Sequence, residues 1–220
     1  MSYQHTFLDG TECPYPTGKV VCVARNYYEH IKELDNPVPT EPIFFMKPAT
    51  AIQSLEKKIE IPEYSGNCHH ETELSVLFGT SLSKADPSQV EEAIVGYGIG
   101  LDLTLRDVQQ ALKEKGYPWE KAKAFDGSCP LSPFVPKEQI KDPQDTRLRL
   151  TVNGRVRQEE STRLMINGIV DLIVASSRYF TYLPGDVLLT GTPAGVSQLV
   201  SGDLLELELD DKYRFQTSVG

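Results

Sequence analysis

The segment Leu148-Arg-Leu-Thr-Val-Asn-Gly-Arg-Val-Arg157 constrains the fold more than any other stretch of this chain. Asn-Gly tolerates the positive φ angles of a two-residue type I′ turn, and the residues around it alternate apolar and polar as on a half-buried strand. A tight β-hairpin is expected here. Residues 20–24, 43–46, 74–78 and 99–103 are also short apolar, strand-like runs, and 204–209 alternates Leu with Glu. Helical stretches are fewer: 105–115, which stops at Gly116, and 165–180, which ends ahead of Pro184. Strands outnumber helices without alternating regularly with them, which argues against a doubly wound sheet. The class expected is α+β, β-rich, in a single domain.

With 220 residues, 40% of them hydrophobic, the chain can bury one substantial core. No apolar run approaches the roughly 18 residues of a membrane span. The first residues lack a basic segment followed by an apolar one. Cys13, Cys22, Cys68 and Cys129 are far apart with no C-x-x-C pair, so each is expected to be a small buried hydrophobe. A catalytic thiol at Cys129, just before Pro130, is the weaker alternative. A cytoplasmic protein is expected. The net charge is −9 and no basic stripe is visible, which excludes a nucleic-acid partner; no membrane partner is expected either.

Glu71-Thr-Glu73 leads into an apolar strand, and residues two apart on a strand project from the same face. Taken alone, the pair reads as an ordinary solvated strand edge. Asp102 changes that reading. It closes the strand Gly96-Tyr-Gly-Ile-Gly-Leu-Asp102, where an acidic group among apolar neighbours needs a partner. Gly98 and Gly100 share its face and are expected to leave room for a ligand. Three carboxylates form an oxygen-only set suited to Mg²⁺, Mn²⁺ or Ca²⁺ rather than zinc, with positions left open for substrate and water. His69 and His70 beside them are expected to pack or to support the site rather than to ligate.

Cationic and polar groups follow. Arg106 and Gln109 share a helix face, positioned to meet a carboxylate or simply to face water. Lys47 and Lys123 have apolar neighbours, unlike Lys57 and Lys58. His30 and Glu33, three apart on one helical turn, fit an imidazole oriented by a carboxylate.

Six motifs occur in order: Arg25-Asn-Tyr-x-x-His30, Phe44-Phe-Met-Lys47-Pro, His70-Glu71-x-Glu73-Leu, Gly96-Tyr…Leu-Asp102-Leu-Thr-x-Arg106-Asp-Val-Gln109, Pro118-Trp…Ala-Lys123-x-Phe-Asp and Thr190-Gly-Thr-Pro-x-Gly-Val196. Together they resemble the fumarylacetoacetate hydrolase superfamily, in particular its small acylpyruvase and oxaloacetate decarboxylase subgroup. The resemblance implies a mixed β-sandwich roll over residues 19–220, preceded by an N-terminal segment 1–18, and a homodimer. It implies that Glu71, Glu73 and Asp102 bind Mg²⁺ or Mn²⁺, with Ca²⁺ as a non-native occupant. His30 and Glu33 correspond to an acid–base dyad on a short lid that orders with substrate, and Lys123 to a lysine near the metal. Arg25, Lys47, Arg106, Gln109 and Thr192 correspond to positions around a bound oxo acid. Ala24 and Ser197 stand where relatives often carry Gly or Ser, and Gly.

The activity so implied is metal-dependent hydrolysis of the C–C bond of a 2,4-dioxo acid, an acylpyruvate or fumarylpyruvate, to pyruvate and a carboxylic acid. The alternatives are oxaloacetate decarboxylation and tautomerisation or isomerisation of a 2-oxo dioate, since one stabilised enolate serves all three. A non-catalytic metal-binding module is the reading from another class; it predicts loss of at least one of these groups, and all are present.

Overall fold

Asn153 (φ 50°) and Gly154 (φ 73°) both adopt the left-handed backbone of a type I′ turn, and Arg147–Val152 pairs antiparallel with Arg155–Ser161 across it. In this computed structural model, which describes residues 3–220, that hairpin is one half of a four-stranded sheet. The strands lie in the order Arg155–Ser161, Arg147–Val152, Leu204–Leu209, Tyr213–Ser218. The hairpin also contains a β-bulge the sequence pattern hides. Thr151 pairs with Val156 but Leu150 pairs with Gln158, so Arg157 is the extra residue.

An eight-stranded mixed sheet forms the centre. From one edge it runs Ile43–Lys47, Val20–Ala24, Val187–Leu189, Thr72–Phe78, Ile94–Leu101, Cys129–Leu131 and Ile52–Ser54, with Val135–Pro136 also pairing Ile94–Leu101. Both faces are covered. On one, Val21, Leu74, Val76 and Ile99 pack with Leu148, Leu150, Leu205 and Leu207 of the four-stranded sheet and with Leu172 and Ile173 of the helix Ile169–Ser177. On the other, Val20, Cys22, Leu77, Leu131, Phe134 and Leu189 pack with Cys13, Tyr3, Phe7 and Tyr15, so residues 3–18 close this face. The β-rich α+β sandwich expected from the sequence is the fold observed.

Several expected elements shift. The strand expected over 99–103 is Ile94–Leu101 and stops before Asp102. The helix expected over 105–115 is Arg106–Lys115; Leu105 pairs with Cys68 instead, and Gly116 caps the end at φ 65°. The helix expected over 165–180 shortens to Ile169–Ser177, because Ile166 donates its amide to Asn26 O and Gly168 is extended. A helix Pro87–Ala93 follows Asp86, which forms a capping box with Gln89. All four cysteines are free and buried. Burial pushes the Cys129 thiol up to about 12, which removes it as a nucleophile. Among the described residues, no helix is long and apolar enough to cross a membrane.

A third, three-stranded sheet orders Ser197–Gln198, Cys68–His70 and Thr104–Leu105. The chain passes between this sheet and the central one at three places: Glu71, Asp102-Leu103, and residues 190–196. Each crossing breaks the ladder, and the Asp102 amide ties two of them by donating to Glu71 O at 2.8 Å.

Candidate active site

All three crossings carry site residues. Glu71, Glu73 and Asp102 are almost fully buried, and one oxygen of each lies within 4.8 Å of the others. The solvated-edge reading of Glu71 and Glu73 is therefore wrong: the strand they lead into is central, covered on both faces. The expectation that Gly98 and Gly100 make room for a ligand is also wrong. A Cβ at Gly100 would stand 2.5 Å from Leu189 Cδ2, and one at Gly98 would stand 2.9 Å from Ser132 Oγ. These glycines admit side chains from neighbouring strands, and the ligand space lies beyond the strand end.

Three cations balance the carboxylates. Lys123 Nζ donates to Glu71 Oε2 at 2.7 Å and to Asp102 Oδ2 at 2.6 Å. Arg106 donates to Glu71 Oε1 and, at 3.0 Å, to Gln109 Oε1. Lys47 Nζ lies 2.9 Å from Asp102 Oδ1, yet its protons go to Ser128 O, Ser128 Oγ and Lys123 O. Asp102 Oδ1 is left buried beside a charge without a hydrogen bond. The Gly191 amide donates to Glu73 Oε2 at 2.6 Å.

The electrostatics follow from burial and these partners. Burial, then Asp102 and Glu71, raise the Glu73 pKa well above the carboxylate range. Burial would raise Glu71 too, but Lys123 and Arg106 prevail and hold it well below. Burial would lower Lys123, but Asp102 and Glu71 outweigh it and keep the ammonium charged. The residues fit a hard divalent cation on three counts: an oxygen-only donor set, an orphaned buried oxygen on Asp102, and a Glu73 carboxyl that, among the described residues, lacks a cationic partner of its own.

His30 and Glu33 sit on the helix Tyr28–Glu33. His30 Nδ1 lies 3.3 Å from Glu33 Oε2, which assigns the proton to Nδ1 and leaves Nε2 with a lone pair. Burial lowers the His30 pKa against the opposing pull of Glu71 and Glu33, which favours the neutral ring. Glu33 in turn accepts from the Gly195 amide, 3.0 Å to Oε1 and 3.2 Å to Oε2. The helix lies against the carboxylates, and the space between, lined also by Phe45, Trp119 and Lys113, is only about 40 Å³.

Arg25, Arg106, Gln109, Lys123 and Thr192 line that space. Lys47 does not; it lies behind Asp102, fully buried. Arg25 (φ 61°) donates to Asn36 Oδ1 at 2.9 Å and holds the chain that follows the helix. Thr192 Oγ1 donates to Thr72 O. His70 is fully buried and bonds Gln158 Oε1 and Ser197 Oγ, at 3.0 and 2.8 Å, in the supporting role expected of it. Gln158 carried no signal in the sequence. By hairpin register alone Arg157 would face inward there, and only the bulge substitutes Gln158.

Comparison with known proteins converges on one group. Residues 19–219 match the family described as fumarylacetoacetate (FAA) hydrolase C-terminal. The chain is 53% identical over 209 residues to oxaloacetate tautomerase YcgM of Escherichia coli, covering 94% of this chain and 95% of the relative. It is 44% identical over 187 residues to the human mitochondrial oxaloacetate tautomerase FAHD1, with 85% of each chain covered. A Yersinia pestis structure of a fumarylacetoacetate hydrolase family protein superposes with a TM-score of 0.97 at 48% identity, covering 99% of this chain and 100% of that one. A fumarylpyruvate hydrolase from Pseudomonas aeruginosa, solved in complex with Mn²⁺ and pyruvate, matches at 33% identity and a TM-score of 0.92, covering 99% and 95%.

Proposed function

The chain belongs to the fumarylacetoacetate hydrolase family, and from that premise we propose that it catalyses the keto–enol tautomerisation of oxaloacetate or a closely similar 2-oxo dicarboxylate. The observation that carries this choice is the 53% identity to an oxaloacetate tautomerase, against 33% to a fumarylpyruvate hydrolase. Hydrolysis of acylpyruvates, the activity the motifs first suggested, becomes the second reading.

The chemistry asks little more than the site contains. Tautomerisation moves one proton between C3 and the 2-oxygen and needs no attacking water. A divalent cation held by Glu71, Glu73 and Asp102 would supply Lewis-acid polarisation of the 2-oxo group. His30 Nε2, its ring fixed by Glu33, takes the proton from C3 and returns one to the 2-oxygen in forming the enol, and moves it the opposite way in forming the keto acid. The Lys123 ammonium, kept charged by its neighbours, lines the same space and would stabilise the negative charge that develops on the enolate. Arg25, Arg106 and Gln109 line the same space and hold the substrate carboxylates.

The test follows the loss of enol absorbance of oxaloacetate with Mg²⁺ or Mn²⁺, beside pyruvate release from oxaloacetate, acetylpyruvate and fumarylpyruvate. Tautomerisation is expected to have the highest kcat/KM, and His30→Ala to lower it by roughly 100-fold or more. Faster pyruvate release from a dioxo acid would overturn the reading in favour of the hydrolase, and faster release from oxaloacetate in favour of the decarboxylase.

A further inference from the structure

The loop 191–195 serves both halves of the site at once. Its first amide, Gly191, holds Glu73, and its last, Gly195, holds Glu33 and through it the His30 ring. The distance between those two amides therefore sets where the imidazole stands relative to the carboxylates.

A single side chain fixes the middle of this loop. Gln158 Nε2 donates to Thr192 Oγ1 at 2.7 Å and to Pro193 O at 2.8 Å. Its Oε1 accepts from the Thr72 amide and from His70 Nδ1, both at 3.0 Å. Every hydrogen-bonding position of the amide is used, and the residue is 1% exposed. His70 and Thr72 flank Glu71, so the same amide braces the metal-side carboxylates and the loop that braces the base. The bulge at Arg157 makes this arrangement, because it turns Gln158 inward and sets Arg157 O against Gly195. A Cβ at Gly195 would lie 1.8 Å from that oxygen, and its φ of 102° excludes other residues as well.

We propose that Gln158 is a positioning residue that aligns the His30–Glu33 pair with the carboxylate cluster by clamping Thr192 and Pro193. It touches no reacting atom; it acts through Gly195 on Glu33 and through Gly191 on Glu73. The proposal rests on His30–Glu33 as the acid–base pair, and its test separates the two.

Gln158→Met keeps the bulk and removes both donors; Gln158→Asn, which keeps an amide at shorter reach, is the second variant, and circular dichroism confirms folding of each. Turnover is measured for Gln158→Met, Glu33→Ala and the double variant, and Mn²⁺ affinity by calorimetry. Gln158→Met is expected to lower kcat by roughly tenfold or more with KM changed little. At saturating Mn²⁺, which offsets any loss through Glu73, the same change in the Glu33→Ala background should cost less than about twofold, because the route through Glu33 is gone. Mn²⁺ affinity should weaken through Glu73, a loss read without turnover. Unchanged kcat and Mn²⁺ affinity in a folded Gln158 variant, or equal losses with and without Glu33, would overturn the proposal. Full turnover in Glu33→Ala itself would instead remove the acid–base reading on which it stands.

Discussion

Lys47 Nζ lies 2.9 Å from Asp102 Oδ1, and neither side chain is open to solvent. The contact is one of charge rather than of hydrogen bonding, since the ammonium protons are spent on Ser128 and on Lys123 O. Lys47→Met keeps the bulk and leaves Asp102 undercompensated. Removing one partner of a buried ion pair costs roughly 3–5 kcal/mol, so the melting temperature in chelator should fall steeply. Mn²⁺ should restore much of it, because the cation replaces the lost charge. Melting curves with chelator and with metal check both halves; wild-type stability in chelator would show that Asp102 does not depend on Lys47.

Lys123 predicts opposite movements in two measurements. Its ammonium bridges Glu71 and Asp102, two carboxylates of the cluster that would hold a cation. Lys123→Met frees those oxygens and removes a like charge from beside the ion. Metal affinity by calorimetry should rise by roughly tenfold, the size of one screened charge–charge contact. Turnover should fall at the same time, since the charge that the proposed mechanism sets against the enolate is gone. Weaker metal binding in this variant would contradict the placement of Lys123 as a competitor for the site.

The histidines should make the fold acid-labile. His5, His30, His69 and His70, all the histidines of the chain, are lowered chiefly by burial. His5 falls from 6.5 to about 4, packed edge-on between Tyr3 and Phe134, with Nε2 donating to Gly185 O. The unfolded chain binds a proton there below about 6.5 that the folded chain refuses until about 4. Stability from this group is therefore complete above pH 6.5 and is lost as the pH falls towards 4. The loss for His5 is on the order of 3 kcal/mol, and His69, also lowered to about 4, adds to it in the same window. Denaturant unfolding from pH 7 to 4 should show the decline, and His5→Phe should flatten its slope. A slope unchanged by His5→Phe would remove His5 from the account.

Chain order and spacing made much of the site legible. Arg25, His30, Glu33, Glu71, Glu73, Asp102, Arg106, Gln109, Lys123 and Thr192 do line one space or contact a residue that does. What spacing could not show is depth. Whether Glu71 and Glu73 face water depends on the sheets that cover them, and those are remote in sequence. Lys47 illustrates the same limit: an apolar neighbourhood marked it as unusual, but only the tertiary packing places it behind Asp102 and not against the pocket. Gly98 and Gly100 looked like empty space because the strands that fill it lie elsewhere in the chain. Gln158 was invisible for a sharper reason, since one bulged residue reverses which face of the strand is read. The helix Pro87–Ala93, by contrast, has a readable start at Asp86-Pro-x-Gln89.

Glu71, Asp102 and residues 191–195 all lie where the backbone leaves one sheet for another. A cation held there would act as a rivet through a joint, holding two rafts of strands at a set angle. Its removal should loosen the joint ahead of either raft. Amide exchange would then quicken first at Asp102, Gly191 and Gly195, while Val76 and Leu150, deep in the rafts, keep their protons.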